Sequence, residues 1–352
     1  MADKTVWHLL SNRWNSAITE YALSAACAFE TAGAHSIFSP LIGSPAEKRA
    51  RGRGLETVPV ESFSLASIPR LNTFLKERAP HKVFLYGGPE TFLARFLHRK
   101  GLIRFYGQEV NSTIYRIPHF FEMSTRHLET LLVPNQVIFN RLNSLAPRRA
   151  VTKITLGLEV PKFRNQERNN EIVIVGRLDP VKGHERAIQI FAKLLSLRGQ
   201  DRVRPCLHVV GQAANLSVEA VKSCAKRYGL KWGEEIKLTE TRVHNIAELM
   251  SKASVGMISS LGSEQICRVA QEFLLVGTPV FVSGAGATEE VLFDGAGGSY
   301  RGENDENAAG KLGNLFDVSY EESSIVRQER SRQASERFSL EVMGRQLVDL
   351  IS

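Results

Sequence analysis

Short apolar runs alternate with amphipathic segments along the whole chain. In the first half, the apolar runs predict strands at 6–10, 36–38, 82–86, 102–106, 131–133 and 151–155. Between them, helical spacing of apolar residues predicts helices at 16–32, 67–78, 89–99 and 135–145. Alternating strands and helices form parallel sheets that are covered by helices on both faces. This half therefore predicts a doubly wound α/β domain.

The second half repeats the alternation with strands that are rich in Val, Ile and Leu, as buried parallel strands are. The predicted strands lie at 172–175, 207–210, 236–238, 255–259 and 280–282, and the predicted helices at 184–198, 216–228, 245–252, 264–276 and 328–351. Between the halves, 157–170 contains Pro161 and a polar run, which is typical of a linker. A chain of 352 residues exceeds what one core organises, so we predict two domains, 1–165 and 166–352.

The composition is that of a soluble globular protein, with 43% hydrophobic and 23% charged residues. No stretch approaches the ~18 apolar residues of a membrane span, and the first residues are too polar for a secretory signal. Four cysteines lack the paired spacing of a zinc site or a disulfide framework: Cys27, Cys206, Cys224 and Cys267. We therefore expect a cytoplasmic, reducing location.

Positive charge is concentrated in the first half of the chain. Residues 1–165 hold 22 Lys and Arg against 12 Asp and Glu, whereas the remainder holds 23 against 25. The net charge of +8 therefore belongs to the first half, which favours an anionic partner there. This half lacks the aromatic platforms and recognised modules of nucleic-acid-binding proteins, so we expect no nucleic acid partner.

Two acidic residues stand eight positions apart in the run that begins at Ser263. On a helix over 264–276, Glu264 and Glu272 would be separated by about 12 Å along the axis and by about 80° around it. That geometry suits carboxylates that hold two different hydroxyl-bearing parts of one extended ligand.

Upstream of this pair lies Gly176-Arg177-Leu-Asp-Pro-Val-Lys182-Gly183, and downstream lies Gly284-Ala-Gly286-Ala-Thr-Glu-Glu290-Val. In this order and at this spacing, 171–292 resembles the donor half of family 4 retaining glycosyltransferases, which carry G-R-L-x-x-x-K-G and E-x7-E motifs. The resemblance implies the GT-B fold, in which two Rossmann-like domains face each other across a cleft. It also implies that the last helix, about 328–351, packs back toward the first domain.

Several candidate residues follow from the motifs. Arg177 directly follows a predicted parallel strand, so it lies at the sheet edge where open α/β folds bind ligands. The resemblance implies that Arg177 and Lys182 hold a donor diphosphate, that Glu264 binds the sugar hydroxyls and that Glu272 binds the ribose. It implies further donor-binding positions at Gly176, Gly183, Gly211, Arg242, Val243, Ile266, Cys267, Arg268 and Ser16.

The first half departs from the family pattern. Relatives usually have a Gly-rich loop after the first strand, where this chain has a loop that contains Arg13, Trp14 and Ser16. Many relatives also carry a His near the reacting sugar, whereas this chain has Tyr106 at the corresponding place. A tyrosine donates a hydrogen bond but is not a base near neutral pH, so His119 is the alternative residue there. We expect Arg13, Trp14, Tyr106 and His119 on the acceptor side.

Two further segments bear on the acceptor. The 47–54 segment is interpreted as a basic, Gly-broken loop, and 117–123 as an apolar loop with Phe120 and Phe121. Basic residues beside exposed aromatics favour a lipid-linked substrate and peripheral contact with an anionic membrane, at the inner face of the cytoplasmic membrane.

The sequence thus predicts a retaining, metal-independent glycosyltransferase of surface polysaccharide or lipopolysaccharide assembly. It would move a sugar from a nucleotide diphosphate sugar, with UDP or GDP expected, to an anionic glycan or a lipid-linked acceptor. No Asp-x-Asp signature occurs, so we expect neither a metal nor another cofactor. A non-catalytic nucleotide-sugar or glycan-binding protein and a sugar-nucleotide epimerase remain the alternatives.

Overall fold

The computed structural model describes residues 4–107, 117–199, 201–240, 243, 245–262 and 264–352. The chain forms two compact units, Met1–Glu159 with Arg337–Ser352, and Val160–Glu336. The division thus falls at Glu159 rather than at 165, and the end of the chain belongs to the first unit. No helix within the described ranges is both long and apolar enough to cross a membrane.

The first unit is built on a seven-stranded parallel sheet with the order β3-β2-β1-β4-β5-β6-β7. Its strands are β1 Thr5–Leu10, β2 His35–Pro40, β3 Glu56–Thr57, β4 Lys82–Leu85, β5 Leu102–Phe105, β6 Thr130–Val133 and β7 Ala150–Lys153. In the centre, Trp7 of β1 pairs with Ile37 of β2 and with Val83 of β4. All three side chains are buried, as a strand covered on both faces requires.

Helices cover this sheet and join its parallel strands. They are α1 Ala17–Thr31, α2 Pro45–Gly52, α3 Ile68–Arg78, α4 Gly88–Leu93, α5 Pro118–Thr125 and α6 Gln136–Leu145. A 3₁₀ turn at Ala94–Phe96 continues α4. The helices α3 to α6 bury one face of the first sheet in a hydrophobic core, and α1 packs on β1 and β2.

Two segments that the sequence assigned to loops are helical. The basic segment lies largely in α2, where the Ser44 side chain caps the first turn by accepting the Glu47 N–H. Pro45 stands in that first turn, where a backbone N–H would have no partner within the helix. The apolar segment lies in α5, which buries Phe121 and Thr125 against the core and leaves Phe120 exposed. Both loop predictions were wrong, because one buried face is sufficient for a short helix when the rest of the fold supplies the packing, with a side-chain cap in α2 and without one in α5.

The second unit has a six-stranded parallel sheet with the order β10-β9-β8-β11-β12-β13. Its strands are β8 Glu171–Val175, β9 Cys206–Val210, β10 Ile236–Thr239, β11 Val255–Ile258, β12 Val280–Val282 and β13 Gly297–Ser299. Its helices are α7 His184–Leu197, α8 Val218–Arg227, α9 Ile246–Lys252, α10 Arg268–Leu275, α11 Asp305–Tyr320 and α12 Ser324–Phe338.

The final helical segment is two helices rather than one. The helix α12 ends at Phe338, and α13 spans Leu340–Asp349 after Ser339, whose side chain accepts the Val342 N–H as a helix cap. The helix α13 packs on α1 of the first unit. At Gly344 a Cβ would lie 2.4 Å from the Ala28 carbonyl oxygen, so this position needs glycine for the two helices to approach.

Candidate active site

The order of the second sheet places a topological switch point between β8 and β11, whose connections leave on opposite sides. In open α/β sheets the crevice at the carboxyl ends of such strands is where ligands bind. The segments that follow β8 and β11 contain Arg177, Lys182, Ser260 and Glu264. The predicted diphosphate and sugar residues are therefore brought to one edge of one sheet.

Two glycines hold the first of these segments close to its neighbour. The Gly176 N–H donates to the Val210 carbonyl at 2.9 Å, and the Gly211 N–H donates to the Thr239 carbonyl at 3.0 Å. A Cβ on Gly211 would lie 1.8 Å from the Gly176 carbonyl oxygen. The backbone on either side of this contact is therefore fixed just before Arg177 leaves the sheet.

Arg177 is exposed, and its guanidinium has no hydrogen bond or ion pair with any residue in the described part of the chain. Its backbone is held by His184, whose Nε2 lies 3.0 Å from the Arg177 carbonyl oxygen. Burial, with a smaller effect of Lys182, lowers the pKa of His184, so its ring is neutral near pH 7 and donates from Nε2. A fixed backbone with a free cation suits an anionic ligand.

A capped turn follows Arg177 and carries Lys182. The Asp179 carboxylate accepts the Val181 N–H at 3.1 Å and the Asn215 amide at 2.8 Å, which lowers the pKa of Asp179. The 3₁₀ turn Pro180–Lys182 ends at Gly183, whose φ of 67° lies in the left-handed region. Asp179 thus stays ionised and locks the turn that orients Lys182.

Gly183 is required for a second reason, because a Cβ there would lie 2.1 Å from the Ser259 carbonyl oxygen. At the same contact, the Ser259 hydroxyl donates to the Lys182 carbonyl at 2.8 Å, and the Leu261 N–H donates to the Val181 carbonyl at 2.8 Å. These bonds connect the segment after β8 to the segment after β11 and set the position of Lys182 relative to Glu264.

Lys182 and Glu264 form an ion pair in which Nζ donates to Oε2 at 2.6 Å. The Ser260 hydroxyl donates to the same oxygen at 2.8 Å. Both charged side chains are partly exposed, at 30% for Lys182 and 17% for Glu264. The site therefore presents a cation and a carboxylate side by side, together able to contact a phosphate and a hydroxyl of one ligand.

Glu264 does not lie on the helix that carries Glu272, so the prediction of both carboxylates on one helix was wrong. The helix α10 begins at Arg268, and the Arg268 N–H donates to the Ile266 carbonyl at 2.9 Å instead of to Glu264. The Glu264 carbonyl accepts the Ala287 N–H at 2.9 Å. Because a Cβ on Gly286 would lie 2.5 Å from that carbonyl oxygen, the Gly-rich segment packs directly on Glu264 and competes with helix formation.

The residues just before α10, which were predicted to form the first turn of that helix, lie outside it. Ile266 and Cys267 are buried, and burial followed by the Glu264 charge raises the pKa of the Cys267 thiol, which is therefore unreactive. Glu272 lies in α10, where it accepts the Arg268 guanidinium at 2.7 Å and keeps 24% of its side chain exposed. The second carboxylate is thus held by a cation four residues earlier.

The remaining donor-side candidates lie in different parts of the chain. Val243 is partly exposed in the segment between β10 and α9, whereas Arg242 lies outside the described residues. Ser16 is in the first unit, where it caps α1 by accepting the Thr19 N–H at 3.3 Å. Its hydroxyl also accepts the Asn12 amide at 2.6 Å, which gives Ser16 a structural role in the loop after β1.

The acceptor-side candidates all lie in the first unit. Arg13 is exposed in the loop after β1, and Trp14 in the same loop is 76% exposed. Tyr106, after β5, is half-buried with Arg104 5.0 Å above its ring and Phe121 5.8 Å away. His119 is exposed on α5 beside Phe120. The structure places Trp14 and His119 on accessible surface and packs Tyr106 against the core.

Sequence reasoning missed the residues that orient the site rather than contact a ligand. Ser260, Asp179 and Asn215 fix Glu264 and the turn of Lys182. The signal for Asp179 was available, because an Asp before a Pro is a common turn and cap residue. Asn215 carries no local signal, since it contacts Asp179 from 36 positions away, and Ser260 acts on Glu264 four positions later through a non-helical segment that the sequence assigned to a helix at Glu264.

Residues 158–331 match the family model described as "Glycosyl transferases group 1", a range that covers most of the second unit. No curated protein matches the chain by sequence.

Solved structures are similar to the whole chain. The Anabaena protein HepE in complex with UDP is 15% identical over 98% of each chain, with a TM-score of 0.77. A glycosyltransferase from Rickettsia africae is 14% identical over 99% of this chain and 97% of the other, with a TM-score of 0.78. The lipopolysaccharide outer core galactosyltransferase WaaB is 12% identical over 99% of each chain, with a TM-score of 0.71. These similarities show the GT-B fold of two Rossmann-like domains.

Proposed function

We propose that this protein is a retaining glycosyltransferase that moves a sugar from a nucleotide diphosphate sugar to a hydroxyl of a glycan or a lipid-linked acceptor. The observation that carries the proposal is the Lys182–Glu264 pair beside the free Arg177 guanidinium at the β8–β11 switch point. A donor of this class has a dianionic diphosphate joined to a polyhydroxylated ring. Adjacent cations and a carboxylate match those two parts.

The chemical step is dissociation of the sugar from the diphosphate. The bond between the anomeric carbon and the phosphate oxygen breaks as the acceptor oxygen bonds to the same face of that carbon, and the acceptor proton passes to the departing phosphate oxygen. Arg177 and Lys182 stabilise the negative charge that grows on the diphosphate, and Glu264 holds the sugar hydroxyls. Gly183 and Gly211 let the backbone segments of this site, including Gly176, pack closely against one another, and Glu272 receives the ribose hydroxyls.

UDP is the nucleotide we propose first, and surface-glycan assembly is the pathway class. HepE has been solved with UDP and with UDP-glucose, and WaaB is a lipopolysaccharide galactosyltransferase. Both similarities support the proposal at the level of fold.

The test is calorimetric titration of the protein with UDP, GDP, ADP and CMP and then with their common sugars. Binding of one nucleoside diphosphate, followed by release of that nucleotide from its sugar conjugate, supports the proposal. Binding without any turnover over a broad acceptor panel would favour the non-catalytic binding protein. Conversion of the sugar nucleotide with no acceptor present would favour an epimerase. Absence of binding by all four nucleotides would overturn the donor site.

We also propose that the first unit docks on an anionic membrane through α4, the following 3₁₀ turn and α5. Five apolar side chains there are between 46% and 50% exposed, and they are Phe92, Phe96, Ile117, Phe120 and Met123. Arg95 joins the two elements by donating to the Ser124 carbonyl at 3.0 Å. Exposed aromatics next to cations are what an interfacial surface requires.

Charge supports this choice of partner. The stretch 92–100 contains Arg95, Arg99 and Lys100 and no acidic residue, within a unit that is basic as a whole. Each such cation near an anionic bilayer contributes about 1 kcal/mol of attraction.

Sedimentation with vesicles tests the membrane proposal. We expect binding to phosphatidylglycerol-containing vesicles that weakens with salt, and little binding to pure phosphatidylcholine. Replacing Phe92, Phe96 and Phe120 by Ser should abolish it. The matched control replaces the exposed Ile325 and Val326 of the second unit. Equal loss in both variants, or no binding by wild type, would contradict the proposal.

A further inference from the structure

Arg301 follows β13 by two positions, at the carboxyl edge of the second sheet. From the switch point outward, the strands along this edge are β8, β11, β12 and β13. Lys182 belongs to the segment after β8 and Glu264 to the segment after β11, so the segments after β12 and β13 come next along the edge. None of the motifs that identified the donor site includes Arg301.

The strand register fixes how far Arg301 lies from the residues expected to hold the sugar. Ile258, Val282 and Ser299 form one row across β11, β12 and β13. Ser260, whose hydroxyl donates to the predicted sugar carboxylate, and Arg301 each follow this row by two positions. Neighbouring strands are about 4.8 Å apart, so the two backbones are separated by about 10 Å. An arginine side chain and a hexose ring can together span that distance.

Gly284 holds the Arg301 side chain against this edge. Gly284 follows β12 by two positions with a φ of 77°, and a Cβ there would lie 2.5 Å from Cβ and 2.8 Å from Nε of Arg301. The side chain of Arg301 therefore packs directly on the Gly284 backbone. The same segment is joined to the one that carries Glu264, because the Ser283 hydroxyl donates to the Ser260 carbonyl at 2.6 Å.

The guanidinium of Arg301 is held through Nε only. Nε lies 2.7 Å from Oε2 of Glu289, whose Oε1 accepts the Ser299 hydroxyl at 2.6 Å. The Ser299 oxygen also accepts the Arg301 N–H at 3.1 Å, so the backbone is fixed as well. The two terminal nitrogens donate no hydrogen bond to any residue in the described part of the chain, and 57% of the side chain is exposed.

An exposed Arg–Glu pair contributes little to stability by itself. At the ligand-binding edge of an open α/β sheet, however, an oriented guanidinium offers two parallel N–H donors, which match the two oxygens of a carboxylate. Within the described ranges, Glu289 is the one acidic residue that pairs with Arg301, and it lies at Nε, so the terminal nitrogens stay available to a second carboxylate. In the proposed donor, the diphosphate lies on the β8 side of Glu264, so an anion at Arg301 belongs to the sugar.

We infer that Arg301 binds the carboxylate of the donor sugar, and that the donor is therefore a UDP-linked hexuronic acid. This assignment rests on the proposed function, which it narrows from nucleotide sugars in general to those with a carboxylate at C6. Along the edge of the sheet, Arg177 and Lys182 hold the diphosphate, Glu264 holds the ring hydroxyls and Arg301 holds the C6 carboxylate.

Calorimetric titration compares UDP-glucose with UDP-glucuronate, and UDP-galactose with UDP-galacturonate, because the members of each pair differ only at C6. UDP alone is titrated as the reference for the donor site. The variants are Arg301→Gln and, as a matched control, Arg227→Gln, since Arg227 forms an exposed ion pair with Glu185 at 2.6 Å elsewhere in the second unit. Melting temperatures are measured for all three proteins.

We expect wild type and Arg227→Gln to bind one uronate about ten-fold or more tightly than its neutral partner, and Arg301→Gln to bind the two about equally. Because the measured quantity is a ratio within one protein, a general loss of binding does not imitate this result. Binding of UDP with no preference for either uronate would overturn the inference and leave the donor site standing. A preference that persists in Arg301→Gln would contradict the role of Arg301. Absence of UDP binding would overturn the donor site and the inference together.

Discussion

The Lys182 ammonium lies 2.6 Å from Oε2 of Glu264, although the two residues are 82 positions apart. The cation predicted to hold a diphosphate and the carboxylate predicted to hold a sugar therefore belong to one ion pair. A bound donor must replace the contact between Lys182 and Glu264 by contacts of its own. Each of the two side chains therefore influences how tightly the other binds the donor.

We predict that Lys182→Ala lowers affinity for UDP by about 10- to 100-fold, since a charge-assisted hydrogen bond contributes about 1.5–3 kcal/mol. Calorimetry with UDP measures this. The control is Lys252→Ala, which removes a similar Lys–Glu pair on α9. A loss of the same size in the control would show that the effect is not specific to the site.

We predict a different pattern for Glu264→Gln. Affinity for UDP alone should be unchanged or higher, because Lys182 is released from its partner. The sugar of UDP-glucose, or of another accepted donor, should then add less affinity than it does in the wild type. The ratio of the two dissociation constants is the measurement. Equal loss for UDP and for its sugar conjugate would contradict a role of Glu264 in sugar binding.

Gly211→Ala should disrupt the contact between the ends of β8 and β9. The added Cβ would lie 1.8 Å from the Gly176 carbonyl oxygen, so the backbone next to Arg177 must move. We expect a loss of about 2 kcal/mol or more in unfolding free energy together with weaker UDP binding. Gly310→Ala is the control, since a Cβ there meets open space on α11, and it should stabilise by up to about 1 kcal/mol.

Stability should fall in mild acid because of His8, which is fully buried in the first unit. Its Nδ1 lies 2.8 Å from the Tyr86 hydroxyl, and burial lowers the pKa of His8 to about 3. The unfolded chain binds this proton below its ordinary pKa of 6.5 while the folded chain does not, so stability is lost as pH falls from 6.5 toward 3.

Urea unfolding at pH 7 and pH 5 measures the effect of His8. Between these values wild type should lose about 2 kcal/mol more than His8→Gln, which keeps a hydrogen-bonding side chain without the titration. Other histidines are common to both proteins and cancel in the difference. The same loss in the two proteins would contradict a neutral His8 in the folded state.

Glu322→Gln should strongly destabilise the second unit. Glu322 pairs with Arg330 and, at 3.4 Å, with Arg168, and all three side chains are at most 6% exposed. Burial and the nearby Arg327 lower the pKa of Arg168 to about 9. Removing the carboxylate would leave buried cations without their counter-ion, at a cost of about 3–5 kcal/mol.

Chemical denaturation of Glu322→Gln and of its neighbour Glu321→Gln checks this prediction. Glu321 is exposed, so its variant should stay within about 0.5 kcal/mol of wild type. Similar unfolding free energies for the two variants would show that the arginines are satisfied by backbone carbonyls alone.

Most of the two sheets could be predicted from the sequence, because a strand buried on both faces needs a continuous apolar run. The exceptions are two of the four edge strands. Glu56–Thr57 has no apolar residue, and Gly297–Ser299 has none either, so β3 and β13 exist through pairing with β2 and β12. The helix α11 was also missed, since Gly310 and Gly313 weaken its helical pattern. Close packing explains one of them: a Cβ on Gly313 would lie 2.9 Å from Leu194 of α7.

The candidate site could be predicted in part. Motif spacing identified Arg177, Lys182 and Glu264, but it placed Glu264 on a helix that begins only at Arg268. The reason is a competitor from another segment, because the Ala287 N–H takes the Glu264 carbonyl. Asn215 was missed altogether, since it reaches Asp179 from a segment 36 positions away.

The sequence by itself determined where strands and helices alternate, and hence which residues follow the carboxyl end of each strand. Such information is local, because it depends on apolar periodicity and on caps within a few residues. Only the tertiary structure decided which of these residues meet. The strand order places the segments after β8 and β11 side by side, so that Lys182 pairs with Glu264, and it places β1 beside β4, so that His8 meets the Tyr86 hydroxyl. Burial and long-range pairing arise from that order, which no local pattern encodes.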